Sequence, residues 1–124
     1  VIGEGKEPEP PGWWQEMPHF RREEFRCPCG VCGGFPAEPE EALVRLAEQV
    51  RTAFDAPVLI SSGVRCPAHN AAVGGVKNSR HLSGKAMDFR VRNLSGEKVL
   101  IFVRTLPIRY AYRIDGSFVH MDVA

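Results

Sequence analysis

The stretch Ser79-Arg80-His81-Leu82-Ser83-Gly84-Lys85-Ala86-Met87-Asp88 is the part of this chain that decides its fold. Apolar side chains occupy alternate positions from 87 to 91, so a strand here buries one face and turns Asp88 to the other. Gly84, just before the strand, permits a backbone angle that other residues resist, which lets His81 enter from the preceding turn. The stretch therefore predicts a turn and a half-buried strand that bring two candidate metal ligands together.

The segment Ser117-Phe118-Val119-His120-Met121-Asp122 repeats this alternation near the end of the sequence. Val119 and Met121 share one face of a strand, and Phe118, His120 and Asp122 lie on the opposite face. Two neighbouring strands of this kind place Asp88 and His120 on the same side of a sheet. Two imidazoles and a carboxylate match a catalytic zinc site, which uses three protein ligands and leaves one position open. We therefore expect His81, Asp88 and His120 to bind Zn²⁺.

The segment from Ser79 to Asp88 resembles the S-x-H-x-x-G-x-A-x-D signature of the zinc D-alanyl-D-alanine peptidases. The resemblance covers roughly residues 18 to 124 and includes Phe20, Glu24-Phe25, Cys27, Cys29-Gly30, Ser61 to Pro67, His69-Asn70, Val73 to Gly75 and Phe118 to Asp122. That family includes D,D-carboxypeptidases, D,D-dipeptidases and phage L-alanyl-D-glutamate endopeptidases, and the hedgehog signalling domain shares its fold. The resemblance implies a zinc peptidase that acts on the peptide stems or cross-links of bacterial peptidoglycan.

The same resemblance assigns roles to individual residues. His81, Asp88 and His120 match the zinc ligands of the family, and Arg65 matches an arginine near the substrate carbonyl or carboxylate. A guanidinium suits that role because its planar fork stays charged and can bind two oxygens at once. The alternative for Arg65 is an ordinary surface salt bridge. Ser79 matches the motif serine, which orients substrate or a ligand, and the alternative is a simple turn serine.

The general base is where this chain departs from the family pattern. Many relatives carry a Glu or Asp three residues before the last ligand histidine, and this chain has Ser117 there. A hydroxyl does not accept a proton from water at neutral pH, so another carboxylate has to do so. Asp115, beside the flexible Gly116, is the expected base, and its alternative is a turn residue. Asp122 is the second candidate base, although its position two residues after His120 also suits a residue that orients this ligand.

Ser117 also keeps a second function open. A domain that binds zinc but lacks a base would be a non-catalytic or structural module of a phage particle or of a cell-wall hydrolase. Release of D-alanine or of new amines from muropeptides distinguishes the enzyme from such a module.

Four cysteines form a second group of candidate ligands. Cys27, Cys29 and Cys32 lie within six positions of one another, and Cys66 directly follows Arg65. Four thiolates with glycine-rich turns match a structural zinc site, although the C-x-C-x-x-C spacing differs from the usual C-x-x-C pair. Two disulfides are the competing interpretation, with three ways to pair four cysteines, and free thiols are the third.

Composition limits the remaining function classes. The 124 residues are 44% hydrophobic and 25% charged, which is typical of one globular domain that buries most of its apolar surface. The net charge of +1 indicates no nucleic-acid partner. No apolar run approaches the ~20 residues that span a bilayer. We expect a monomer that is periplasmic, secreted or phage-associated, with a peptidoglycan peptide as its partner.

The order of the predicted elements indicates an α+β fold. Residues 1–17 are expected to form an N-terminal linker or arm, although Trp13 and Trp14 are apolar enough to pack on the domain of residues 18–124. Apolar stripes predict helices over 39–54 and 95–106, a strand over 57–61 and a helical turn over 67–73. Residues 109–114 and the last strand are expected to form a hairpin. The result is a small, mostly antiparallel sheet flanked by helices, as in the hedgehog and D,D-peptidase fold.

Overall fold

The computed structural model describes residues 9–124, so part of the predicted N-terminal arm, residues 1–8, lies outside the described range. The main elements are α1 (Glu41–Phe54), β1 (Val58–Ser62), α2 (Pro67–Ala72), β2 (Ala86–Val91), α3 (Gly96–Val103), β3 (Tyr110–Arg113) and β4 (Val119–Asp122). Short 3₁₀ helices cover Gly12–Glu16, Arg22–Phe25 and Arg80–Ser83. The strands form one antiparallel sheet in the order β1-β2-β4-β3. The α+β prediction is therefore confirmed.

The hydrophobic core lies between the sheet and the helices α1 and α3. Leu43 and Val50 of α1 are fully buried, as are Met87 and Phe89 of β2 and Val99 of α3. These residues come from alternate positions of the strand and from one face of each helix, as their apolar spacing predicts. Because this face of the sheet is filled with apolar side chains, the polar side chains of β2 and β4 lie on the other face.

The segment before Pro18 packs on the domain. Trp13 and Trp14 are partly buried against the core, and their rings stack with centroids 4.5 Å apart. The indole Nε1 of Trp14 donates a hydrogen bond to Glu38 Oε2 at 2.8 Å, and Met17 is buried. The described part of the predicted arm therefore lies on the surface of the core, as the apolar tryptophans suggested. Within residues 9–124, none of the helices combines the length and the apolar character that a bilayer crossing requires.

The end of β1 delivers the chain to the polar face of the sheet. Ser62 is paired with Asp88 of β2 after an irregularity in register, and the chain then leaves the sheet at Gly63. A β-carbon on Gly63 would lie 2.7 Å from the backbone of Phe25, and the Val64 N–H donates to the Phe25 carbonyl at 2.8 Å. This close approach, which needs a glycine, holds the following Arg65 beside the middle of β2.

Candidate functional site

His81 is held by a short 3₁₀ helix in front of β2. Ser79 caps the start of this helix with its Oγ, which accepts a hydrogen bond from the His81 N–H at 3.2 Å, and Gly84 follows its end with φ +75°. His81 is 2% exposed, and its Nδ1 lies 2.8 Å from the Gly63 carbonyl oxygen. A carbonyl can only accept a hydrogen bond, so Nδ1 carries the proton and Nε2 keeps its lone pair. This nitrogen is therefore available as a metal ligand.

Asp88 and His120 face each other across the pair formed by β2 and β4. The two residues are direct partners in the register of these strands, and Asp88 Oδ1 lies 2.8 Å from His120 Nδ1. The same oxygen lies 3.2 Å from His81 Nε2. The strands and the 3₁₀ helix thus bring two imidazole nitrogens and one carboxylate oxygen to a single point.

Asp122 fixes the tautomer of His120. Its Oδ2 lies 2.7 Å from His120 Nε2, and Arg109 donates to both of its oxygens at 2.7 and 2.9 Å. Burial favours the neutral acid, but hydrogen bonds from Arg109 and His120 outweigh it and lower the pKa of Asp122. With a cation bound at Nδ1, beside Asp88, the proton of His120 lies on Nε2, where the ionised Asp122 carboxylate accepts it. A carboxylate behind a ligand histidine is the usual way to orient such a ligand.

The three donor atoms fit a zinc ion. One atom from each of His81, Asp88 and His120 lies within 4.8 Å of the other two, and all three residues are buried. Burial lowers the pKa of His120, but the hydrogen bonds to Asp88 and Asp122 outweigh it and raise that pKa. Without a metal ion these two carboxylates favour the protonated ring, and a divalent cation where the three donors meet would take the place of the proton on Nδ1. Two neutral imidazoles and a carboxylate are ordinary zinc ligands, and three of them leave a coordination position open.

Asp88 is charged in this setting. Burial would raise its pKa, but the adjacent rings of His120 and His81 outweigh that cost and hold the pKa well below its usual range. Arg65 donates from Nη2 to the other oxygen, Asp88 Oδ2, at 3.1 Å. One oxygen of Asp88 thus faces the two histidines while the other is held by the arginine.

Arg65 is fixed on three sides. Besides its bond to Asp88, its Nε donates to Ser62 Oγ at 2.9 Å and its Nη1 donates to Asn70 Oδ1 at 3.1 Å. Asn70 is itself buried and donates from Nδ2 to the Val76 carbonyl oxygen at 2.8 Å. These bonds use three of the five N–H donors of a guanidinium. Two of its donors remain available for another group.

An open cavity of about 730 Å³ lies over the histidines and Asp88. Its walls come from the loop after α2, the 3₁₀ helix at 80–83 and the β3-β4 hairpin, and its lining includes Arg65, Ser79, Arg80, Arg109 and Tyr112. The three candidate zinc ligands are thus accessible to a molecule in this cavity.

Tyr112 is a cavity residue that the sequence reasoning missed. It is the register partner of His120 in the β3-β4 pair, and its ring stacks on the imidazole with centroids 4.8 Å apart and planes at 22°. Burial and the charge of Asp88 raise the pKa of Tyr112. The alternation of residues 109–114 predicted a strand, but only the register of the hairpin shows that Tyr112 stacks on the candidate ligand His120.

The candidate bases differ in their positions. Asp115 is exposed, and its Oδ1 accepts hydrogen bonds from the backbone N–H groups of Ser117 and Phe118 at 3.2 and 3.1 Å. Asp122 is 1% exposed and bound to Arg109 and His120. Among the described residues that line the cavity, Asp88 is the only carboxylate. The structure therefore places Asp115 in the hairpin turn and Asp122 behind His120.

The four cysteines converge at a second point. Their sulfur atoms all lie within 4.8 Å of one another, and none of the four forms a disulfide. A hydrogen bond from the Val31 backbone lowers the pKa of the Cys29 thiol to about 6. The Gly34 N–H acts in the same direction on Cys32, but burial and the neighbouring thiols outweigh it and raise its pKa to about 11. Of these two thiols, Cys29 ionises at the lower pH.

We expect Asp122→Asn to weaken zinc binding at the histidine site. The amide has no charge and only one oxygen, so it cannot accept hydrogen bonds from both His120 and Arg109 as the carboxylate does. His120 then loses its fixed tautomer. Loss of such a partner typically costs about 10- to 100-fold in metal affinity or activity. Competition with a chromophoric chelator measures the affinity, and Glu97→Gln, an exposed carboxylate on α3, is the matched control. An unchanged affinity in Asp122→Asn would contradict the orienting role.

Comparisons with known proteins agree with this geometry. The family model described as Peptidase M15 matches residues 18–122, a range that contains all three candidate zinc ligands and all four cysteines. A search of the curated proteins finds no match. The matched range covers most of the chain, and its buried set of two histidines and one aspartate is a donor set suited to a metallopeptidase. This chain therefore belongs to the M15 family of zinc peptidases.

Proposed function

We propose that this protein is a zinc-dependent peptidase that cleaves the peptide stems or cross-links of bacterial peptidoglycan, as D-Ala-D-Ala carboxypeptidases do. The observation that carries the proposal is the meeting of His81 Nε2, Asp88 Oδ1 and His120 Nδ1 under an open cavity. Membership of the M15 family supports the peptidase chemistry. Peptidoglycan lies outside the cytoplasmic membrane, so we also propose a periplasmic, secreted or phage-associated protein.

In this proposal the ligand residues and Arg65 have different roles. Zinc, when bound, supplies Lewis acidity toward the scissile carbonyl and toward a water molecule. His81 and His120 present their unprotonated nitrogens because Gly63 and Asp122 hold the opposite nitrogens. Arg65 keeps two N–H donors for an oxygen that gains negative charge during the reaction, and fixed donors of this kind stabilise a transition state.

The cavity also has positive charge for an anionic peptide end. Arg80 lines it, and the guanidinium of Arg80 has no hydrogen-bond or ion-pair partner among residues 9–124. Arg65 and Arg109, which also line the cavity, are each paired with an aspartate. Arg80 is thus the arginine best placed to bind a free carboxylate of a peptide stem, while Arg65 acts at the scissile bond and Ser79 shapes the turn that carries His81.

The experiment that tests the proposal is an assay of the zinc-loaded protein on defined muropeptides. A pentapeptide stem, a cross-linked dimer and a tripeptide stem report cleavage of D-Ala-D-Ala, of an interpeptide bond and of L-Ala-D-Glu. Mass spectrometry detects released D-alanine and newly formed amines. We expect turnover near neutral pH with at least one substrate. No product from any of them, with zinc bound at the histidine site, would overturn the enzymatic function.

Arg65→Lys separates two roles of this arginine. Lysine is a point charge that cannot reproduce the fork held by Ser62, Asn70 and Asp88. If Arg65 stabilises the transition state, kcat falls by about 10²- to 10³-fold, the loss typical of one such donor, while KM changes little. A rise in KM alone would contradict this role and would indicate ground-state binding. Zinc content measured on the same samples shows whether the substitution also disturbs Asp88.

Asp115→Asn tests the proposed general base. The amide oxygen can still accept the two backbone hydrogen bonds of the turn, but it cannot take a proton. If the turn moves Asp115 towards bound substrate, the rate falls by about 10²- to 10⁴-fold while the melting temperature stays the same. Adding Ser117→Glu to this variant restores a carboxylate at the position that many relatives use, and we expect it to recover activity. An unchanged rate in Asp115→Asn would remove Asp115 from the mechanism.

The positions of Asp115 and Asp122 support a second possible function. Asp115 is bound to the backbone and Asp122 is bound to Arg109, so neither carboxylate faces the cavity as a free base. A non-catalytic zinc module of a phage particle or cell-wall hydrolase would keep the metal and bind peptide stems without turnover. Binding of muropeptides to the zinc-loaded protein with no product formed would favour this alternative.

A further inference from the structure

The four cysteines meet where two distant parts of the chain touch. Cys27, Cys29 and Cys32 belong to the loop between the 3₁₀ helix at 22–25 and α1, and Cys66 is the residue before α2. Each sulfur lies within 4.8 Å of the other three, and the sulfurs of Cys66 and Cys29 are 3.8 Å apart. The group lies apart from the histidine cavity, whose lining contains none of the cysteines.

This arrangement has the size of a tetrahedral metal site. A zinc–sulfur bond of about 2.3 Å gives a distance of about 3.8 Å between two sulfurs of a regular tetrahedron. Two disulfides would join the sulfurs in two separate pairs, each about 2.05 Å apart, and would not require all four to converge. The observed convergence of four sulfurs is therefore the pattern of ligands around one ion.

Backbone N–H groups point at all four sulfurs. The donor and acceptor pairs are Val31 to Cys29, Gly34 to Cys32, Cys66 to Cys27 and His69 to Cys66, each at 3.4 Å. Gly30 and Gly33 follow two of the cysteines with φ of +81° and +83°, which turns the next N–H back toward the sulfur. Hydrogen bonds of this kind stabilise negative charge on sulfur, as metal-bound thiolates require.

We propose that Cys27, Cys29, Cys32 and Cys66 bind a second zinc ion with a structural role. Four thiolates fill a tetrahedral site and leave no position for substrate, so this ion takes no part in catalysis. It joins the loop of residues 27–34 to the segment that carries Arg65, beside the hydrogen bond from Val64 N–H to the Phe25 carbonyl. Its loss is expected to loosen Arg65 as well as the loop. The proposal is independent of whether the protein is an active peptidase.

Metal analysis of the full chain, purified with a reductant, is the first test. We expect two zinc ions per chain in the unchanged protein, one in His120→Ala and one in Cys32→Ser. One zinc in the unchanged protein and none in His120→Ala would overturn the proposal, as would iron in place of the second zinc. Activity plays no part in this count, so failure of the proposed peptidase function would leave it unaffected.

Cobalt provides a readout that does not depend on the folding of a cysteine variant. In the His120→Ala protein loaded with Co²⁺, all four cysteines are intact, and we expect an intense sulfur-to-cobalt charge-transfer band in the near ultraviolet. Absence of that band would contradict thiolate ligation. Alkylation of the zinc-free chain in chelator without reductant, followed by intact-mass measurement, should add four labels. Addition of no label would show two disulfides and would also overturn the proposal.

Discussion

His81→Ala is expected to lose the zinc of the histidine site and to reduce muropeptide hydrolysis to the background rate. The substitution removes Nε2, one of the three candidate protein ligands, and leaves Asp88 Oδ1 facing only His120. A two-ligand site has too few donors to hold zinc against competing water. The loss of activity follows because the Lewis acid is then missing from the cavity. Metal content and initial rates on the same preparation measure both effects.

The matched control is His19→Ala. His19 lies on the surface and is not part of the cavity lining, and its Nδ1 pairs with Glu48 Oε1 at 2.7 Å. An exposed pair of this kind contributes about 0–1 kcal/mol to stability, so zinc content and rate should match those of the unchanged protein. Full hydrolysis by a metal-stripped His120→Ala protein would contradict the zinc mechanism itself, because that protein lacks both the metal and one of its three expected ligands.

The alternation of apolar residues was sufficient to place two of the three candidate ligands. It put Asp88 and His120 on the polar faces of two strands, and the structure pairs them directly across the sheet. Period-two patterns fix which face a side chain takes, so this part of the site could be read from the sequence. The entry of His81 from a turn also depended on local features, namely the cap by Ser79 and the positive φ at Gly84.

Long-range contacts account for what could not be predicted. The first helix was expected from residue 39, but α1 begins at Glu41 because Glu40 is extended and its N–H donates to the Gly84 carbonyl at 2.8 Å. Likewise, the contact of Tyr112 with His120 depends on the β3-β4 register. The register in turn depends on a turn whose length local propensity does not determine. Such contacts join residues that are far apart in sequence or lie across a turn.

The convergence of the four cysteines also depends on long-range contacts. The spacing of Cys27, Cys29 and Cys32 left a metal site, disulfides and free thiols open, because each sequence pattern is compatible with several loop shapes. The deciding information is the position of Cys66, which follows Arg65 at the end of a segment fixed by Gly63 against Phe25. A contact between residues about 40 positions apart is a property of the fold. The sequence alone therefore could not distinguish a metal site from disulfides or free thiols.

Gly84→Ala adds one methyl group in the turn before β2. We expect it to destabilise the protein more than a methyl group added at any other position of that turn. Gly84 has φ +75°, and a β-carbon there would overlap the carbonyl oxygen of Glu38 and lie 2.9 Å from its carbonyl carbon. The left-handed conformation costs about 1–2 kcal/mol for a residue with a side chain, and forced overlap adds about 1–3 kcal/mol. We therefore expect the free energy of unfolding to fall by roughly 2–5 kcal/mol, measured by urea titration in excess zinc.

Gly74→Ala is the control that separates these two costs. Gly74 has nearly the same backbone angle, φ +74°, but a β-carbon there would meet no atom within 4 Å. This variant should lose only the conformational part, about 1–2 kcal/mol, so the difference between the variants measures the contact with Glu38. Equal losses would show that the Glu38 backbone moves aside without cost. A larger loss in Gly84→Ala, together with weaker zinc binding, would show that the same contact holds His81 and Asp88 in position.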